Sequence, residues 1–226
     1  MTYRWLLFDA DDTLFDYDRA EYLALERTLA AFGRPMAPET LQSYRRFNEQ
    51  VWKAFEQGTI SSLELRVRRF ELLFQDLGLA ISPAAFNAAY LQNLSLVSEL
   101  IAGAQEVVEA LYGRYQLAVV TNGLREVQRP RLERSTIGKY FADLIISEEV
   151  GAAKPDSAYF DAAFQRIGSP PKAEVLLIGD NWSSDIEGGS RYGLDTCWFN
   201  PAGKPRPGPV RYEISRLVEL LDLLDH

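Results

Sequence analysis

The chain has 226 residues, 47% of them hydrophobic, which is enough for one large domain or a domain carrying an insertion and argues against disorder. A formal net charge of −8 and a pI near 4.9 argue against a nucleic-acid polymer or an acidic membrane surface as partner, so a small anionic substrate has to be met by local cations. One cysteine, Cys197, rules out an internal disulfide, and the single histidine, His226, argues against a histidine base or histidine metal cluster, leaving acid–base work to carboxylates or lysine.

The apolar run Trp5-Leu6-Leu7-Phe8 predicts a buried strand, and Asp9, Asp11, Asp12 and Thr13 follow at its end. This run is too short for a signal peptide or a membrane span, and a reduced cytoplasm is the simplest address. A calcium loop counted from Asp9 would need Gly and Glu where Leu14 and Ala20 stand. Helical periodicity then begins. Tyr22, Leu25, Leu29 and Phe32 mark a first helix stopped by Gly33 and Pro35, and a second opens at Pro38 and ends before Gly58. Ser61 with Glu64 forms a capping box for a third helix closing at Gly78; Ser82 and Pro83 open a fourth.

From Gly103 the pattern changes. A helix over 106–112 precedes strands at 117–120, 144–146, 175–178 and 196–199, with a short edge strand at 212–214 and Ser215 expected to cap the last helix. Pro201 to Pro209 reads as a surface loop. Continuous apolar strands separated by helices predict a mostly parallel sheet covered on both faces. The fold class is therefore α/β, a doubly wound, Rossmann-like core (residues 1–16 with 101–226) into which an all-helical segment (17–100) is inserted.

Each strand end carries polar residues: Asp9 and Asp11 after the first, Thr121-Asn122-Gly123 after the second, Lys154-Pro155 beyond the third, and Gly179-Asp180 with Asp185 after the fourth. Alone, each reads as a turn, a solvated lysine or a helix cap. Together they bring two acid pairs, a hydroxyl and a cation to the carboxyl edge of one sheet, where open α/β sheets place their sites.

That set, in order and over the whole chain, resembles the four motifs of the haloacid dehalogenase (HAD) superfamily, and the helical insertion resembles its C1 cap. More narrowly, Asn48, Trp52, Gly58, Ser62-Leu63, Arg69-Phe70, Arg131-Leu132-Glu133 and Ser147-Glu148-Glu149-Val150-Gly151 look like the bacterial house-cleaning pyrimidine 5′-nucleotidases. The resemblance implies Asp9 as nucleophile forming an aspartyl-phosphate, and Asp11 as the acid and base. It implies Thr121, Asn122 and Lys154 as phosphate-binding groups. Asp9, the backbone carbonyl of Asp11, Asp180 and Asp185 would then hold Mg²⁺. True dehalogenases of the superfamily lack an acid two residues past the nucleophile, so Asp11 favours a phosphatase. The implied substrate is a small phosphorylated metabolite, a nucleoside monophosphate by the narrower likeness, with a sugar-phosphate phosphatase or phosphomutase as the rival. A non-enzymatic phospho-acceptor domain would combine the same residue types, but its acceptor would end a middle strand. A binding protein derived from a phosphatase would be expected to lack one of the four motif residues.

Candidates for substrate specificity in the insertion are Asn48, Trp52 and Arg69. Helical spacing puts Asn48 beside the stripe of Leu41, Tyr44, Val51 and Phe55, with Trp52 one turn on. The run Arg66, Arg68 and Arg69 reads as a solvated face or a substrate entrance. Trp5, Cys197 and Trp198 are expected to pack.

Overall fold

The computed structural model describes residues 3–225. The chain opens with β1 (Trp5–Phe8) and passes through four helices, α1 (Tyr17–Ala31), α2 (Pro38–Glu56), α3 (Ser62–Leu77) and α4 (Pro83–Ser95). After α5 (Ala104–Leu111) and β2 (Gln116–Thr121) come α6 (Arg125–Arg134), β3 (Asp143–Ile146), α7 (Ser147–Val150), α8 (Ser157–Arg166) and β4 (Val175–Gly179). A π-helical turn (Trp182–Glu187), α9 (Gly188–Tyr192), β5 (Asp195–Phe199), β6 (Tyr212–Ile214) and α10 (Glu219–Leu224) complete it.

The strands form one parallel sheet in the order β3-β2-β1-β4-β5-β6, so the connections reverse direction at β1. That reversal leaves a crevice at the carboxyl edge, the usual ligand site of such sheets. Phe8 pairs with Val119 on one side and Ile178 on the other, which sets the next residue, Asp9, between the ends of β2 and β4. Alternation along the strands divides the core. Leu6, Phe8, Val119, Ile146 and Ile178 face the layer containing Val107, Val108, Leu111 and Leu220, whereas Leu7, Ala118, Val120, Ile145 and Leu177 face Tyr159, Phe160, Ala163 and Phe164 of α8. Both faces are apolar because both are covered, which is why these strands read as unbroken hydrophobic runs.

Residues up to Tyr17 with those from Ser98 onward make one compact unit, and Asp18–Val97 another. In the helical unit the predicted caps are present. Ser61 and Glu64 exchange both capping-box bonds, and α3 ends at Gly78 in the left-handed conformation, φ 62°, that glycine tolerates best. Its interior is aromatic: Phe70 lies 4.9 Å from Phe86, 5.3 Å from Tyr90 and 5.5 Å from Tyr44, centroid to centroid. Arg69, 1% exposed, enters this cluster and donates to Asn48 Oδ1 at 3.1 Å, Asn87 Oδ1 at 3.2 Å and the Tyr44 hydroxyl at 3.4 Å. Arg68, one residue earlier and therefore turned about 100° away on the helix, is exposed and pairs with Glu71. Arg66 bonds back to the Ser62 hydroxyl and carbonyl.

One expected cap differs. Helix α10 begins at Glu219 with Val218 in the cap position, and Ser215 lies a turn earlier, its N–H and O–H both donated to the Glu219 carboxylate at 3.1 Å. That carboxylate engages the serine before any helical amide reaches it. The stretch after β5 is exposed, and Cys197 and Trp198 are buried, as the sequence predicts. No helix among the described residues is long and apolar enough to cross a membrane.

Removing Arg69 leaves the side-chain oxygens of Asn48 and Asn87 buried without this donor, at about 1–3 kcal/mol for each such group. Arg69→Ala should therefore lower the urea midpoint by an amount equivalent to several kcal/mol. A variant with an unchanged midpoint would show that the buried network contributes nothing to stability.

Candidate active site

The carboxyl edge of β1 delivers Asp9, whose N–H is fixed to the Ile178 carbonyl at 2.9 Å. Beside it stands Lys154, 1% exposed, from the segment between α7 and α8. Its ammonium donates to Asp9 Oδ1 at 2.6 Å, Asp185 Oδ1 at 2.7 Å and the Val120 carbonyl at 2.8 Å, so each of its three protons has an acceptor. The backbone of Lys154 is held by the Asn122 side chain, which donates to the lysine carbonyl and accepts from its N–H, both at 2.8 Å. The Asn122 side chain thus fixes the lysine loop with its oxygen and one of its two amide hydrogens, and leaves the backbone N–H of Asn122 outside this pair of bonds. Thr121 ends β2 with its Oγ1 accepting the Gly123 N–H at 2.9 Å.

Asp185 is fully buried in the π-helical turn and accepts the Asn181 N–H at 3.1 Å. Asn181 caps this turn, accepting from Ser183 at 3.0 Å and Ser184 at 3.1 Å. Gly179 is glycine for space: a Cβ there would lie 2.3 Å from Asp185 Oδ2. Trp198, expected only to pack, also donates its indole N–H to the Asp180 carbonyl at 2.8 Å. Carboxylate oxygens of Asp9, Asp180 and Asp185 lie within 4.8 Å of one another.

Like charges this close, away from water, resist ionisation. Burial pushes Asp9 well above the usual carboxylate range, and the Asp185 and Asp180 charges add to this against the pull of Lys154. Burial, then Asp185 and Asp12, raise Asp180 to about 8. Burial works against the Lys154 ammonium, but Asp185 and Asp9 outweigh it and hold the group above the ordinary lysine range. One ammonium faces three carboxylates, and an all-oxygen donor set with that excess negative charge suits a hard divalent cation. The residues fit a metal.

The side chain of Asp11 is not in this cluster. Its carboxylate accepts from Gln128 Nε2 at 2.6 Å and forms an ion pair with buried Arg131, both on α6. Asp12, which motif reading passes over, has a left-handed backbone with φ 57°, a conformation that Asp tolerates better than most side chains, and its carboxylate accepts the Tyr17 N–H at 3.2 Å. Within the helical unit, Asn48 and Arg69 are bonded to each other in the interior, and Trp52 is half-buried with its ring edge-on to Phe55 at 5.7 Å. Arg131 stands out in the sequence through the narrower family likeness and Gln128 not at all; they are two polar residues three apart on one helix face after a strand end, and nothing in their spacing names Asp11 as their target.

An aspartate at the end of the first strand at the switch point, a lysine bridging two acids and a second acid pair after the fourth strand define a class of protein. The chain belongs to the haloacid dehalogenase-like hydrolases, whose family model matches residues 6–199. It is 35% identical to the pyrimidine 5′-nucleotidase YjjG of Escherichia coli over 99% of both chains. It is 34% identical to the pyrimidine 5′-nucleotidase PynA of Streptococcus pneumoniae, covering 100% of this chain and 96% of that one. Among solved structures, the magnesium-bound HAD-hydrolase YfnB of Bacillus subtilis superposes with a TM-score of 0.95 at 36% identity, with 100% of each chain covered. The protein is an enzyme of this hydrolase family and a phosphatase by its relatives.

Lys154→Met would leave Asp9 and Asp185 buried against each other without their cation. Breaking a buried pair in this way costs about 3–5 kcal/mol. Urea unfolding in chelator should show a loss of that order, and a variant as stable as the wild type would mean that the carboxylates are already neutral there.

Proposed function

We propose that the protein is a Mg²⁺-dependent phosphomonoesterase that works through an aspartyl-phosphate on Asp9 and hydrolyses nucleoside monophosphates. The observation that carries this reading is the Lys154 ammonium bonded to both Asp9 and Asp185 beside Asp180, because phosphoryl transfer needs placement and charge compensation above all. Asp9 attacks phosphorus as the bond to the alcohol oxygen breaks, and Asp11 gives the departing alkoxide its proton. Asp11 then takes a proton from the water that hydrolyses the aspartyl-phosphate, and inorganic phosphate leaves. Lys154 remains an ammonium throughout and offsets the charge of the Asp9 carboxylate. Thr121, whose Oγ1 already accepts from Gly123, has its hydroxyl proton to give to a phosphoryl oxygen. Asp9, Asp180 and Asp185 would hold Mg²⁺, with the Asp11 carbonyl, and the ion supplies the charge that lets a carboxylate approach a phosphate dianion.

The phosphate chemistry is indifferent to the alcohol it releases. Support for a nucleotide comes from the full-length likeness to two pyrimidine 5′-nucleotidases, and base recognition is assigned to the helical unit as the cap. Trp52 is its test residue, since stacking on a base is worth about 1–3 kcal/mol.

A panel of nucleoside monophosphates and sugar phosphates with Mg²⁺ should give the highest kcat/KM for a pyrimidine nucleotide. A triose or hexose phosphate at the top would replace that substrate class with the sugar-phosphate rival. EDTA should abolish turnover and Mg²⁺ restore it; full activity in excess chelator contradicts the metal. Asp9→Asn should lose orders of magnitude in turnover while remaining folded, and Asp11→Asn about 10²- to 10⁴-fold on alkyl esters. Trp52→Ala should raise KM for the nucleotide roughly tenfold and leave small phosphates unaffected; parallel losses on both would place Trp52 in the packing of the helical unit.

A further inference from the structure

Two side chains of α6 close on Asp11 from the same helix face. Gln128 Nε2 donates to Oδ2 at 2.6 Å, and Arg131 Nη1 donates to Oδ1. Arg131 is fully buried with its guanidinium 4.7 Å over the Phe15 ring, while the Asp11 side chain stays 27% exposed. A carboxylate gripped on both oxygens has its plane and direction fixed.

Gln128 is the informative member. It is buried, and among the described residues its side chain makes one hydrogen bond, to Asp11, and its buried Oε1 meets no donor. Burying an acceptor in that state is a cost to folding, so the residue is not there for stability. Its path to Asp11 crosses Gly123, where a Cβ would lie 2.2 Å from Nε2 and 2.7 Å from Cγ. Gly123 does not have a left-handed φ. Its missing side chain is therefore about room, and what needs the room is Gln128.

We propose that Gln128 and Arg131 are positioning residues for proton transfer by Asp11, and that Gly123 is glycine so that Gln128 can reach it. The inference rests on the phosphatase reading above. As the phosphorus–oxygen bond breaks, the proton on Asp11 passes to the alkoxide oxygen; in the second half of the reaction Asp11 recovers a proton from water. Both transfers need the carboxyl aimed at one spot. Attack by Asp9 does not.

The test compares an alkyl phosphate hydrolysed by the wild type with 4-nitrophenyl phosphate, whose leaving group needs little protonation, in saturating Mg²⁺. Gln128→Leu should lose roughly tenfold to a hundredfold in kcat on the alkyl ester, as a misaimed catalytic group does. Its KM should stay near the wild-type value, the nitrophenolate burst should be nearly unchanged, and the melting temperature should be equal or higher. Arg131→Lys should retain more alkyl-ester activity than Arg131→Met, because it keeps the cation. Gly123→Ala should resemble Gln128→Leu, and the double variant Gly123→Ala/Gln128→Ala should be no worse than Gln128→Ala alone, since the clash is gone. Wild-type kcat on the alkyl ester in Gln128→Leu, equal losses on both leaving groups in the phosphorylation step measured as a burst, or additive losses in the double variant would each overturn the proposal. A wild type inactive on every phosphate ester would instead remove the phosphatase reading, and the proposal with it.

Discussion

The ammonium of Lys154 is the interaction on which the site depends. Two strand-end acids and a third from the π-helical turn converge on a space largely closed to water, and the Coulomb cost of that convergence is met there by the Lys154 ammonium. Much of the neighbouring structure serves to hold it. Val120 gives it a third acceptor, Asn122 grips its backbone from both sides, and Gly179 keeps clear the space that Asp185 occupies. Such an arrangement is held under electrostatic tension by packing, a condition common at catalytic sites, where local energetic cost and function coincide.

The sheet and its edge were legible in the sequence because their signals are local. Trp5-Leu6-Leu7-Phe8 and Val175-Leu176-Leu177-Ile178 are uninterrupted apolar runs, the first followed at once by Asp9 and the second by Gly179 and Asp180, and a parallel sheet puts every such end on one side. Caps written in adjacent residues, such as Ser61 with Glu64, were equally plain. What the sequence withheld depends on side-chain direction across long separations. Nothing in the spacing told that Asn122 would turn to the lysine backbone, that Arg69 would point inward while Arg68 points out, or that Gln128 and Arg131 would meet Asp11. Ser215 failed as a cap for a related reason: a carboxylate four residues on competed for its hydrogen bonds.

The two units use polar burial differently. In the helical unit Arg69 bonds the side-chain amides of Asn48 and Asn87 and lies against aromatic rings, 5.0 Å from the Phe70 centroid and 5.2 Å from that of Tyr90, so these contacts tie its guanidinium into the packing. At the sheet edge Lys154 meets full negative charges. A delocalised guanidinium suits the first setting and a compact ammonium the second.

The position of β1 in the sheet also has a bearing on how the chain comes to be folded. The strand precedes both of its partners, Gln116–Thr121 and Val175–Gly179, with the whole helical unit intervening before either is synthesised. The helical unit is built from contacts between consecutive helices, which form early, whereas a strand with only distant partners must wait for the loop to close. During synthesis from the amino end, Trp5-Leu6-Leu7-Phe8 therefore stays an unpaired apolar segment until Gln116–Thr121 has emerged. The strand that carries Asp9 is thus an apolar segment that the nascent chain has to keep from self-association until its partners arrive.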